Sequence, residues 1–287
     1  MKHLLLILML SACASAAPDA QHAQAPAVTT APVVAAERAF AARGAEIGWI
    51  PAFREFAAPN GQVLGPEGYV SAPESLAATP DDGNRLLFWW PAYAGIARSG
   101  DFGFTTGPFS VDEARAPRGQ YFTVWRRQPD GSWRWLWDGG PGPRPDALNE
   151  GVDAAVVPSL PVSSAGVGSE AEAIRQVRAL ETEGASAGAL AHYVAGDAQS
   201  YRPRRPRDAG TAAETFVFPS PDIAYRLTRI EASSAGDMAM TLGEASWRHD
   251  GVDREGFFAR IWQHRPEGWR IVYDQLTPRA PPPPPAN

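Results

Sequence analysis

The chain of 287 residues holds a single cysteine, Cys13, so no disulfide can form within it and its stability must come from burial. Lysine is equally scarce: every basic residue except Lys2 is arginine. Such uniform usage reflects a GC-rich coding bias more than a demand for guanidinium chemistry, so arginine counts are discounted. A formal net charge of -6 gives no electrostatic footing for nucleic-acid binding. The five histidines match no metal-ligand spacing, no serine sits in a Gly-x-Ser-x-Gly elbow, and no Walker or dinucleotide glycine pattern occurs. A metal site, a nucleotide cofactor and a serine nucleophile therefore have no support, and no cofactor is expected.

The amino terminus carries an export pattern. Lys2 and His3 precede the apolar run Leu4 to Leu10, which is shorter than the ~20 residues a membrane span needs. Leu10-Ser11-Ala12-Cys13 follows and is similar to a bacterial lipobox, in which the cysteine becomes the lipidated first residue. Cleavage near Ala14-Ser15-Ala16 is the alternative. Residues 1–12 are read as a signal peptide, with the mature protein periplasmic, anchored to the envelope membrane through Cys13 and touching the membrane by that lipid only.

Self-similarity organises the remainder. Ser99-Gly100-Asp101-Phe102-Gly103-Phe104-Thr105-Thr106-Gly107 returns as Ala235-Gly236-Asp237-Met238-Ala239-Met240-Thr241-Leu242-Gly243. Trp125, Pro129, Gly131, Trp133, Arg134 and Asp138 return in order as Trp262, Pro266, Gly268, Trp269, Arg270 and Asp274. An offset that stays near one value over so many matches, with one residue deleted in the second turn, indicates duplication. Each copy opens on a helical pattern, Glu37 to Ile47 in the first and a run capped by Ser169 in the second. Alternating strands follow: Tyr121 to Arg127 and Trp133 to Trp137, then Phe257 to His264 and Trp269 to Tyr273, each pair joined by a Pro- and Gly-containing turn. Helices first and antiparallel strands afterwards describe an α+β class. The expected domains are 34–140 and 170–278, with a disordered tether over 13–33, a linker over 141–169 and a proline-rich tail over 279–287.

The stretches ERAFAARGAEIG, FWWPAYAGIARSGDFGFTTGPF and GQYFTVWRRQPDGSWRWLWDGG resemble the NTF2-like superfamily, in particular its SnoaL-like and DUF4440 branch. The resemblance implies two tandem cone-shaped domains, each a bent antiparallel sheet wrapped around N-terminal helices with a cavity at its open end. It also implies that members pair through their sheets, so the duplication is expected to form an internal pseudo-dimer. Fold of this kind does not choose an activity. Alternation places Trp133, Trp135 and Trp137 on one face, expected to cover the inside of the sheet as core or pocket wall and not as a platform for nucleic acid.

A carboxylate in a dry cavity is what acid–base chemistry would require, and Asp138 and Asp274, closing the last strand of each copy, are the candidate catalytic residues. The expected ligand-binding residues are Trp49, Trp89, Tyr93, Trp125 and Trp137 in the first copy, joined in the second by Tyr193, Tyr201, Arg202, Arg260 and Tyr273. The first set suits an apolar or aromatic small molecule and the second is more polar. Two functions stay open: binding of such a ligand without catalysis, or a ketosteroid isomerase-like lyase or isomerase using a cavity carboxylate.

Overall fold

A stripe of residues at four- and three-residue steps, Val33, Glu37, Phe40 and Gly44, is buried along one side of helix α1 (Ala31–Ile47). The computed structural model that shows this describes residues 27–143, 154–202, 205 and 210–279. The signal peptide, Cys13, most of the tether, part of the linker and most of the proline-rich tail lie outside the described residues. Helix α1 starts earlier than the apolar pattern alone suggests, with Pro32 in its first turn where a missing N–H costs nothing. Gly48, at φ 98°, ends it and lets α2 (Trp49–Phe56) fold back.

Seven strands then form the first sheet: β1 (Ala57–Gly65), β2 (Gly68–Ser71), β3 (Phe88–Trp89), β4 (Tyr93–Ile96), β5 (Phe102–Ser110), β6 (Gly119–Arg127) and β7 (Trp133–Pro143). Helix α3 (Ala72–Ala78) lies between β2 and β3. The order is β2-β1-β7-β6-β5-β3, with β4 also paired to β5 and β1 running parallel to β7.

The second half repeats the plan. Ser169 caps α4 (Glu170–Glu183), its hydroxyl accepting the Glu172 N–H at 3.2 Å while Glu170 and Glu172 suit the positive helix end. After α5 (Ala187–Leu190) come β8 (Val194–Tyr201), α6 (Ala212–Phe216), β9 (Ala224–Ala232), β10 (Met238–His249), β11 (Val252–Arg265) and β12 (Gly268–Pro278), ordered β8-β12-β11-β10-β9. Strand β8 is parallel to β12 as β1 is to β7. Both halves are thus α+β, with a sheet and N-terminal helices each.

One sequence expectation is corrected by a bulge. Trp125 pairs with Trp135 and Val124 with Trp137, so Leu136 is an extra residue in β7 and the alternation of faces breaks there. Trp135 stays on the helix side with Phe40, Phe53 and Trp125, whereas Trp137 passes with Leu136 to the opposite face. The second sheet carries the same bulge: Trp262 pairs with Ile271 and Ile261 with Tyr273, leaving Val272 extra. The three indoles therefore do not share one face.

The face that receives Trp137 is buried against the other sheet. Equivalent positions of the two halves share one apolar core there: Phe104 and Met240, Val124 and Ile261, Leu136 and Val272, Trp137 and Tyr273. Phe122 stacks on Tyr273 at 3.9 Å between centroids, and the Tyr69 hydroxyl donates to the Phe258 carbonyl at 2.5 Å. Even the repeated turns touch: the Arg98 N–H donates to Asp237 and the Ser234 N–H to Asp101. Asp101 and Asp237 thus tie the halves together. The described part of the linker is held as well, with Val157 and Leu160 buried and Leu160 N–H bonded to the Ala94 carbonyl at 2.8 Å.

Candidate functional site

Between its sheet and its helices each half keeps a second core, and there the halves differ. In the first, a cavity of about 230 Å³ is lined by Phe53, Leu87, Trp89, Phe109, Gln120, Tyr121, Asp138, Gly139 and Gly140. This is below the roughly 300–1,000 Å³ of drug-sized sites, so it suits a small ligand. Strand β7 presents Asp138 half-buried at the wall, accepting the Thr123 hydroxyl at 2.7 Å from the residue directly opposite on β6. Burial pushes the Asp138 carboxyl well above the usual carboxylate range; Thr123 pulls it part of the way back, and the nearby Glu37 raises it again. Tyr121 is buried, and burial, then the nearby Glu37, raise its pKa well above the ordinary phenol value while Thr105 draws it part of the way back.

Behind the cavity sits Glu37, fully buried, accepting the Trp89 indole N–H at 2.6 Å, the Trp125 indole N–H at 3.0 Å and the Thr105 hydroxyl. Its pKa is raised by burial, against which these hydrogen bonds act. Sequence reading passed over this residue. The signal was present in the spacing, since Glu37 lies on the same helical stripe as Val33 and Phe40, where a carboxylate is buried only at a cost unless it is satisfied.

The second half has the same carboxylates, and there the counterpart of Asp138, Asp274, is fully buried. Glu181, on the buried stripe of α4 with Ala173 and Val177, accepts from Thr241 at 2.7 Å and from the Trp262 indole at 2.9 Å, as Glu37 does from Thr105 and Trp125. Arg260 stands where the first half has Thr123, and it bridges Glu181 at 2.7 Å to Asp274 at 2.5 Å. Its guanidinium lies over Tyr225 at 3.8 Å and Phe258 at 4.0 Å. Arg202 closes the cluster, pairing with Asp274 and donating to the Phe216 carbonyl at 2.8 Å. Both arginines and both acids are buried.

The expected site residues fall into separate places. Trp89 and Asp138 line the open cavity; Trp125 lies behind it, and Trp49 packs over Phe53 at the helix side. Trp137, Tyr201 and Tyr273 belong to the core between the sheets, with Tyr93 packed against it, so none of these four lines the cavity. Arg202, Arg260 and Asp274 occupy one another, which removes Asp274 as a free base and both arginines as ligand receivers. Tyr193 is half-buried, its ring tilted against His192 at 3.9 Å between centroids. Among the described residues no group of three or more His, Cys, Asp or Glu side chains could hold a metal ion.

Comparison with known proteins gives similarity of fold. No family model matches the chain. No curated protein matches it. Solved structures that it resembles are NTF2-like and ketosteroid isomerase-like proteins, each covering little more than a third of the chain. A ketosteroid isomerase-like protein from Erwinia carotovora atroseptica is 16% identical, covers 38% of this chain and 96% of its own, with a TM-score of 0.29. An NTF2-like protein of unknown function from Shewanella oneidensis is 18% identical over 37% of this chain and 98% of its own, TM-score 0.27. A DUF3225 family protein from Pectobacterium atrosepticum is 25% identical over 38% of this chain and 87% of its own, TM-score 0.26. The architecture itself rests on the strand order and helix packing of this chain.

Proposed function

We propose that the chain is an exported, envelope-anchored binding protein in which the first half takes up a small, mostly apolar ligand and the second is its filled structural partner. The observation that carries this reading is the contrast at one cross-strand pair: Thr123–Asp138 beside an open cavity, Arg260–Asp274 in a cluster of paired charges. Walls of Phe53, Leu87, Trp89, Phe109 and the Tyr121 ring supply apolar area, and Asp138 and Gln120 supply the few polar groups that orient a ligand. Isothermal titration of the full chain with a panel of small aromatic compounds tests it. One site per chain, lost in a variant with the cavity filled by Leu87→Trp, is expected; no binding by any compound would contradict it.

Export and lipidation at Cys13 belong to the same proposal, supported by the Leu10-Ser11-Ala12-Cys13 pattern. No described helix is long and apolar enough to cross a membrane. Metabolic labelling with a tagged fatty acid tests the anchor, with Cys13→Ser as the unlabelled control. We read the sheet-to-sheet packing as an internal pseudo-dimer, supported by the equivalent residues of both halves that share its core.

A second reading is favoured by Asp138: a carboxyl of raised pKa open to a cavity beside a phenol can move a proton on a bound carbonyl compound, as a lyase or isomerase would. Exchange of solvent deuterium into small ketones, compared between the native chain and Asp138→Asn, separates this reading from binding alone.

A further inference from the structure

The second half shows what its own version of the cavity holds: the guanidinium of Arg260, paired to Asp274 and lying over the rings of Tyr225 and Phe258. Strand register translates each member of that cage into the first half. Asp274 corresponds to Asp138, each directly opposite the position of Arg260 or Thr123. Phe258, paired with Gly243, corresponds to Tyr121, paired with Gly107. Tyr225, paired with Ala245, corresponds to Trp89, paired with Phe109. Asp138, Tyr121 and Trp89 all line the open cavity.

What has changed is the cation. Thr123 replaces Arg260, and continuing the register of β1 and β8 puts Gly65 where Arg202 stands, so Asp138 has lost the counterparts of both arginines that serve Asp274. Glu37 is different: the Trp89 indole N–H gives it the bond that Arg260 gives Glu181, so its need is met from within. The acceptor and ring faces of the cage persist around space.

We infer that the first cavity binds a flat organic cation of the guanidinium or amidinium class, its N–H groups on Asp138 and its face against Tyr121 and Trp89. This rests on the reading of the cavity as a ligand site and names the headgroup that site takes. A planar cation meets both needs at once, since its edge donates to a carboxylate in parallel bonds while its faces lie on aromatic rings. A neutral amide of the same shape offers the ring but forfeits the charge-assisted bond.

The test is titration of the full chain with benzamidine hydrochloride and with benzamide, read by calorimetry and by tryptophan fluorescence. Benzamidinium is expected to bind about tenfold or more tightly than benzamide, the difference between a charge-assisted and a neutral hydrogen bond. Asp138→Asn should reduce that ratio to near one, and Thr123→Arg, which supplies the cation internally, should abolish benzamidinium binding. If Thr123→Arg does not fold, the near-isosteric Asp138→Asn still decides the matter. Benzamide binding as well as or better than benzamidinium overturns the inference and leaves the cavity reading standing. Failure of both compounds to bind overturns both, and an unchanged ratio in Asp138→Asn also overturns the inference.

Discussion

Replacing Arg260 by leucine removes the one group that joins Glu181 to Asp274 while keeping an apolar side chain between Tyr225 and Phe258. Arg260, Glu181 and Asp274 are all essentially without solvent contact, so water cannot replace the lost charge. Removing one partner of a buried ion pair costs about 3–5 kcal/mol, because the remaining charge is left uncompensated. Asp274 keeps Arg202, which places the loss chiefly at Glu181 and argues for the lower part of that range. Urea unfolding followed by tryptophan fluorescence at neutral pH measures it. The deficit should shrink at acid pH, where an orphaned buried carboxylate takes up a proton. Adding Glu181→Gln to Arg260→Leu should recover part of the loss, since the two residues are in direct contact. A loss below about 1 kcal/mol, or one that does not change with pH, would mean that the arginine does not neutralise the interior as described.

Other perturbations follow from the same arrangement. Burial raises the pKa values of Glu37 and Asp138 above the ordinary carboxylate range, so the folded chain holds protons that the unfolded chain releases. Stability should therefore fall as pH rises above that range, and Asp138→Asn should flatten the slope in urea titrations run from acid to neutral pH. Phe122→Ala, which removes the ring stacked on Tyr273 between the sheets, should cost about 3–5 kcal/mol in the same assay. At Gly107 an added Cβ would lie 2.0 Å from the Trp90 carbonyl oxygen, so Gly107→Ala should lower stability by about 1–3 kcal/mol through forced backbone movement. Light scattering of the chain without residues 1–26 should give a monomer, since the two sheets already cover each other.

The repeat made the architecture readable in advance. A nearly constant spacing between matched Trp, Gly and Asp residues announced two similar halves, and turn residues between alternating runs marked β6, β7, β11 and β12. Two features were hidden from alternation. The bulge at Leu136 and Val272 moves Trp137 and Tyr273 to the face between the sheets, and a one-residue insertion cannot be seen from periodicity alone. The pairing of Asp274 with Arg260 was also out of reach, because cross-strand register decides which side chains face each other. Asp138 was legible as a strand-end carboxylate, while Glu37 was legible only as a charge on an apolar helical stripe. Thr123, the small residue that leaves room beside Asp138, gained meaning only when set against Arg260.

Everything functional here depends on open space beside Asp138 and none beside Asp274. Crystals of the chain pressurised with xenon, which settles in apolar cavities, address this without any assumption about the natural ligand. Xenon density is expected among Phe53, Trp89, Phe109 and Tyr121, with none beside Arg260. Xenon beside Arg260, or a first half that admits none, would contradict the account.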